Sequence, residues 1–166
     1  MSDTYVECLI KAKQSGLAKA GRVLLIVLTV FSAIGMILFF NWVFLLLAVV
    51  FGVAAYFLNM MTDLEYEYQY LDRELTVDKI MAKSRRKRVT TFSVDRIEIM
   101  APVNSYHLDN YKNRQTKTKD YSIGEVQQPD LRYAMYYEGG LKILLSPSEE
   151  LMKAMKNVAP RKIFTD

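Results

Sequence analysis

VLLIVLTVFSAIGMILFFNWVFLLLAVVFGVAAYFLNMM, from Val23 to Met61, runs for 39 residues without an Asp, Glu, Lys, Arg or His. About 18 consecutive uncharged apolar residues already mark a membrane span, and about 20 suffice to cross roughly 30 Å of hydrocarbon. As one helix the run would be roughly 58 Å long, nearly twice that thickness. It therefore reads as a transmembrane hairpin over residues 22–61, with spans over about 22–40 and 42–61. The break falls at Phe40-Asn41-Trp42. Asn favours turns and tolerates positive φ, and Trp suits the headgroup level. Arg22, Tyr56 and Asn59 fit the opposite interface.

In the second span Ala48, Gly52 and Ala55 share a face at i, i+4 and i+7, and Ser32 and Gly35 lie at about the matching depth in the first. Small residues let helix backbones approach closely in lipid; the other reading is that Gly and Ala are common in any such helix. Neither span carries a charge, which argues against a pump or channel acting alone. The first span is longer than a signal-peptide core and a second follows it, so it reads as an uncleaved anchor.

The flanks set orientation. Lys11, Lys13, Lys19 and Arg22 precede the hairpin, while Lys79, Lys83, Arg85, Arg86, Lys87 and Arg88 follow it. Basic flanks stay in the cytoplasm and acidic residues such as Asp63, Glu65 and Glu67 count for little. The expectation is a multi-pass protein of the cytoplasmic membrane with both termini cytoplasmic. The single cysteine, Cys8, excludes an internal disulfide framework; it reads as a small apolar residue or as a juxtamembrane acylation site.

Residues 1–21 read as an amphipathic N-terminal helix. Val6, Leu9, Ile10 and Leu17 are interleaved with Lys11, Lys13 and Lys19 over Thr4 to Ala20, an i, i+3, i+4 pattern. It would lie on the inner leaflet or pack on the C-terminal domain.

Residues 62–166 change character. Leu64-Glu-Tyr-Glu-Tyr-Gln-Tyr70 alternates with period two, a strand signature. Leu71-Asp72-Arg73 reads as a turn, and Glu74 to Met81 as a second strand with an irregularity or end at Ile80-Met81. Lys83 to Arg88 reads as a polar connection and Val89 to Val94 as a third strand; Arg96 to Met100 follows. Pro102 to Leu131 is a long polar segment with a short strand at Asp120 to Ile123. Tyr133 to Tyr137 and Leu141 to Leu145 flank Glu138-Gly139-Gly140, a hairpin signal. Ser146-Pro147-Ser148-Glu149 supplies an N-cap Ser, a Pro at the first helical position and a Glu three residues past the cap. Leu151, Met155 and Val158 then form an apolar stripe ended by Pro160.

That order, an α+β arrangement of antiparallel strands closed by a C-terminal helix, resembles the PH-like fold. Leu64 to Asp72, Arg85-Arg86-Lys87 and the ending Leu144 to Phe164 resemble small bacterial membrane proteins of uncharacterised function, with two spans and a C-terminal bacterial PH-like domain. The resemblance implies a cytoplasmic PH-like domain behind a membrane anchor and carries no catalytic residues with it.

Five cations in six residues, Lys83, Arg85, Arg86, Lys87 and Arg88, form the strongest charge feature. Near a bilayer they would bind anionic headgroups or a partner; the plainer reading is a solvated loop that sets orientation. Nucleic acid is a poor fit, because residues 62–166 hold 18 basic against 16 acidic side chains. Lys112, Arg114, Lys117 and Lys119 with Tyr106, Tyr111 and Tyr121 make a second basic, aromatic segment that would dock a partner or simply be solvated. His107 is the only histidine, which with Cys8 alone leaves no Cys/His zinc set. Glu149-Glu150 suits a helix N-terminus. No nucleophile or phosphate-loop motif is present. The expectation is a non-enzymatic membrane protein without cofactor or metal, anchoring a protein- or lipid-binding PH-like module. The alternative is an accessory or regulatory subunit of a larger membrane complex.

Overall fold

The computed structural model describes residues 5–12, 16–124 and 130–166; Thr4, Lys13 and residues 125–129 of the long polar segment lie outside them. The chain divides into two compact units, one of residues 14–64 and 81–85, the other of residues 1–13, 65–80 and 86–166.

The first unit is built on two helices. Strand β1 (Val6–Lys11) precedes α1 (Gly16–Phe39), and α2 (Trp42–Thr62) follows. With 24 and 21 residues, α1 and α2 extend about 36 Å and about 32 Å. Both are long and apolar enough to cross a membrane, and only 11% and 0% of their most apolar windows are buried. The break falls at Phe40-Asn41-Trp42, but the division of labour differs from expectation. Phe40 takes the positive φ, at 48°. Asn41 is extended and caps α2, its side chain accepting from the Val43 N–H at 3.0 Å. The helices run antiparallel: a Cβ on Gly21 would lie 3.5 Å from Leu58, one on Gly52 3.7 Å from Thr29, and one on Gly35 2.8 Å from Phe44.

The expected N-terminal amphipathic helix is replaced. Among the described residues of Thr4 to Ala20 only Gly16 to Ala20 is helical, as the first turns of α1, and Val6–Lys11 is a strand whose burial alternates residue by residue. Val6, Cys8 and Ile10 turn inward while Glu7, Leu9 and Lys11 face out. The same residues satisfy periods of 3.6 and 2. Two β-branched side chains on the inward face, Val6 and Ile10, and an unpaired edge to bond favour the strand.

That edge belongs to β2 (Leu64–Leu71), which pairs antiparallel with β1 from Val6↔Tyr70 to Lys11↔Glu65. β3 (Glu74–Met81) and β4 (Arg85–Ser93) complete a four-stranded sheet in the order β1-β2-β3-β4. The second sheet holds β5 (Ile97–Pro102), β6 (Lys117–Asp120), β7 (Tyr133–Tyr137) and β8 (Leu141–Leu145), ordered β5-β7-β8-β6. β6 runs parallel to β8. The hairpin is thus inserted within the β domain, after its first strand, rather than preceding a domain that starts at residue 62.

The core lies between the sheets: Tyr68, Leu75, Val77 and Phe92 from one, Met100, Met135, Ile143 and Leu145 from the other. Helix α4 (Glu149–Val158) closes it with Leu151, Met152 and Met155, whereas the expected third stripe residue, Val158, is 37% exposed. The helix runs Glu149–Val158 with Ser148, not Ser146, as N-cap, its hydroxyl accepting from the Leu151 N–H at 3.3 Å. Pro147 therefore precedes the cap. Ser146 is tied elsewhere, its N–H donating to the Tyr68 hydroxyl at 3.2 Å while that hydroxyl donates to the Tyr121 carbonyl at 2.6 Å.

The described residues of the long segment after β5 carry regular structure. A 3₁₀ turn at Tyr106–Leu108 and the short helix α3 (Asp109–Lys112) follow β5. Leu108 and Tyr111 cluster with Ile99, Ala101, Ala134 and Tyr136 of the second sheet. The short strand comes slightly earlier than expected, at Lys117–Asp120.

Burial raises the pKa of Tyr66, Tyr68, Tyr70, Tyr121 and Tyr133 above the ordinary phenol value. A folded-state pKa above the unfolded value stabilises while both states are protonated, and that stability is lost as pH rises and the unfolded chain ionises first. We expect the melting temperature to hold up to about pH 10 and fall above it. In absorbance at 295 nm the share of tyrosinate contributed by these five residues should appear with unfolding rather than before it.

Candidate functional site

The basic run is not a loop. Arg85 to Arg88 open β4, and only Lys83 sits in the turn, where Ala82 and Lys83 both take positive φ of 47° and 55°. A strand sends alternate side chains to opposite faces, and this divides the cations into two sets.

Arg86 and Arg88 turn toward acidic partners. The Asp72-Arg73 turn also has two positive φ values, 48° and 65°, and counting back from this two-residue turn sets Glu67 on β2 opposite Asp78 on β3. Both are buried, at 5% exposure each. Arg86 binds both: its Nη2 donates to Glu67 Oε2 and its Nε to Asp78 Oδ2 at 2.9 Å. Arg88 Nε stands 3.6 Å from Asp78 Oδ1, which has no hydrogen bond. Phe92, four residues beyond Arg88, is nonetheless in the core with Leu75. β4 therefore changes face once between them, as a one-residue bulge does. The burial of Glu67 and Asp78 is not legible from the sequence, since each falls on the polar side of an ordinary alternation.

Lys83, Arg85 and Lys87 are exposed. Among the described residues no carboxylate lies within ion-pair distance of them.

Within the helical unit the Ala82 N–H donates to the Asp63 carbonyl at 2.8 Å. Asp63 is the C-cap of α2. This fixes the β3–β4 turn, with Lys83 and Arg85, at the end of α2. Because Gly21 lies beside Leu58, Lys19 and Arg22 of α1 occupy the same end. The opposite end, Phe40-Asn41-Trp42, carries no charge.

Ser32 and Gly35 are the buried residues of α1, and the Ser32 hydroxyl donates to the Leu28 carbonyl at 2.8 Å. Ala48, Gly52 and Ala55 lie half-buried along α2, with Gly52 facing Thr29. Gly35 is the tight point, because an added Cβ would meet the Phe44 ring at 2.8 Å. We expect Gly35→Leu to lower the thermal stability of the helix pair in detergent by about 1–3 kcal/mol through overpacking. Gly52→Ala, where the contact is an ordinary 3.7 Å, should be near neutral.

The second basic segment is largely occupied by its own domain. Lys112 pairs with Asp109 at 2.6 Å, and Arg114 pairs with Glu98 at 2.8 Å and lies over the Tyr111 ring. His107 stacks on Phe164 at 3.8 Å. Among the described residues no group of three or more His, Cys, Asp or Glu side chains could hold a metal ion. An open groove of about 330 Å³ lies between Arg73, Asp95 and the Val158–Lys162 stretch, bridged on one side by the Arg73–Asp95 ion pair at 2.8 Å.

Two sheets closed by a C-terminal helix, joined to two apolar helices and devoid of clustered reactive groups among the described residues, define a PH-like domain protein. The chain belongs to the bacterial PH-like domain family DUF6106, which it matches over residues 2–165. The match takes in β1 and the helical pair as well as the sheets, as an insertion within the domain requires. No curated protein and no solved structure matches the chain.

Proposed function

We propose that this is a non-enzymatic integral membrane protein whose helical pair anchors a PH-like module at the cytoplasmic face, where the module takes a protein or lipid partner. The observation that carries the reading is the pair itself: two helices of membrane-crossing length whose apolar surfaces are left exposed. An exposed apolar surface of this size needs a non-aqueous solvent. The absence of charge from both spans, and the occupation of Arg86 and Arg88 by Glu67 and Asp78, favour anchoring and display over transport or catalysis.

Gly35 and Gly52 face the neighbouring helix of the same chain, so the small-residue face does not by itself speak for the accessory-subunit reading. Alkaline carbonate extraction of membranes tests the anchor: retention in the pellet is expected, and release into the supernatant would overturn it. Cross-linking in intact cells followed by mass spectrometry then tests the module. A recurrent cytoplasmic protein partner, or lipid alone, fits display; a stoichiometric multi-span partner would return the accessory-subunit reading to first place.

A further inference from the structure

We propose that Lys19, Arg22, Lys83 and Arg85 form one collar that binds anionic phospholipid headgroups at the charged end of the helical pair. This rests on the reading that the pair spans a membrane.

Three separate stretches of sequence meet there. Lys19 and Arg22 belong to the first turns of α1. The Gly21–Leu58 approach sets those turns beside the last turns of α2. Lys83 and Arg85 lie far along the chain from α2, yet the 2.8 Å bond from Ala82 N to Asp63 O holds their turn at its C-terminal cap. The turn is closed on itself by the Ser84 N–H donating to the Met81 carbonyl at 3.1 Å. The cations are thus presented on bonded backbone rather than on a free loop. All four are exposed, and among the described residues none has a carboxylate within ion-pair distance.

Position makes the ligand a lipid rather than a soluble anion. Immediately inward of Arg22 the chain is uncharged for 39 residues, so a group bound by the collar would have hydrocarbon directly beneath it. A phospholipid fills both requirements at once, its phosphate among the cations and its acyl chains along α1 and α2. Arg22 is the innermost cation, and a long aliphatic stem lets a guanidinium reach outward to headgroup level. Each cation close to an anionic leaflet raises the partition by about fivefold. Arg86 and Arg88 are excluded from the collar by their engagement with Glu67 and Asp78. The inference therefore distinguishes Arg85 from Arg86 and Arg88, which a simple count of basic residues does not.

The full chain, purified in detergent, is offered equal amounts of phosphatidylglycerol and phosphatidylcholine, and retained lipid is measured by native mass spectrometry. The wild type should retain phosphatidylglycerol in excess. The double variants Lys83→Gln/Arg85→Gln and Lys19→Gln/Arg22→Gln should each reduce that excess about tenfold or more. Lys117→Gln/Lys119→Gln, which removes the same charge from β6, should leave it unchanged. Glycerol phosphate, the headgroup chemistry without acyl chains, should not compete at equal concentration. No preference in the wild type, an equal loss in the β6 control, or competition by glycerol phosphate would overturn the collar. A chain released by carbonate would refute the membrane reading itself; a chain retained by carbonate but indifferent to phosphatidylglycerol would refute only the collar.

Discussion

A chain that begins at Thr62 should fail to form a stable soluble domain, although it contains seven of the eight strands found among the described residues. Removing residues 1–61 strips β1 from β2 and breaks the ladder from Val6↔Tyr70 to Lys11↔Glu65. Val6, Cys8 and Ile10, which pack against the main core, go with it. Burying three apolar side chains of this size in part is worth about 3–5 kcal/mol. A domain of about a hundred residues has only about 5–15 kcal/mol in all. The edge left open is also a template for association. The truncated chain should therefore lack a cooperative melt and elute as aggregate in size-exclusion chromatography. Joining residues 5–12 to Leu64 through a short Gly-rich linker should restore a monomer with a cooperative transition, because Lys11 and Glu65 already face each other in register. A well-folded monomer from Thr62 onward would show that β1 is dispensable.

The second large effect is expected at Arg86. Its guanidinium holds two buried carboxylates on neighbouring strands, and Asp78 Oδ1 has no hydrogen bond of its own. Removing one partner of a buried pair costs about 3–5 kcal/mol. Arg86 is 47% exposed, so solvent screening reduces the expected cost of Arg86→Ala to about 2–3 kcal/mol. In a domain of this size that corresponds to a fall in Tm of about 10 °C or more. Arg88→Ala, with a single contact at 3.6 Å, should cost no more than about 1 kcal/mol. The discriminating measurement is a rescue: adding Glu67→Gln and Asp78→Asn to Arg86→Ala should recover most of the loss, because the repelling charges are gone. If Arg86→Ala melts like the wild type, the two carboxylates are not held as described.

Much of this architecture is legible in the sequence for local reasons. An uninterrupted apolar run fixes its own interpretation, and the bounds of α2, β3, β7 and β8 follow from caps, turns and period-two alternation that involve only near neighbours. The PH-like resemblance drawn from strand and cap patterns is the family the chain belongs to. What was not legible depends on residues distant in sequence. Val6, Cys8 and Ile10 become a strand because an edge some 55 residues later is free to pair with them; in isolation Val6, Leu9 and Ile10 satisfy helical spacing equally well. Lys83 to Arg88 read as a polar loop because charge density is a loop signal, whereas an edge strand tolerates charge and uses it against unwanted pairing. Glu67 and Asp78 look like ordinary outward-facing acids until Arg86 is brought across them. Ser146 and Ser148 both precede a helix-start pattern, and only the tie from Ser146 to Tyr68 decides between them. Of the turns, Gly139-Gly140 announced itself by composition, while Asp72-Arg73 and Ala82-Lys83 adopt the same left-handed pair of conformations without glycine.

The β1–β2 ladder makes the helical pair an interruption of a single β domain, and the proposed topology puts β1 and the remaining strands on one side of the membrane with only the Phe40-Asn41-Trp42 turn on the other. Single-cysteine labelling in intact cells tests it most directly. In a Cys8→Ser background, one cysteine each is placed by Glu7→Cys, Phe40→Cys and Glu150→Cys and exposed to a membrane-impermeant maleimide. The account predicts that position 40 reacts in intact cells, while positions 7 and 150 react only after permeabilisation. Labelling of positions 7 and 150 from opposite sides would contradict it, since β1 could not then pair with β2.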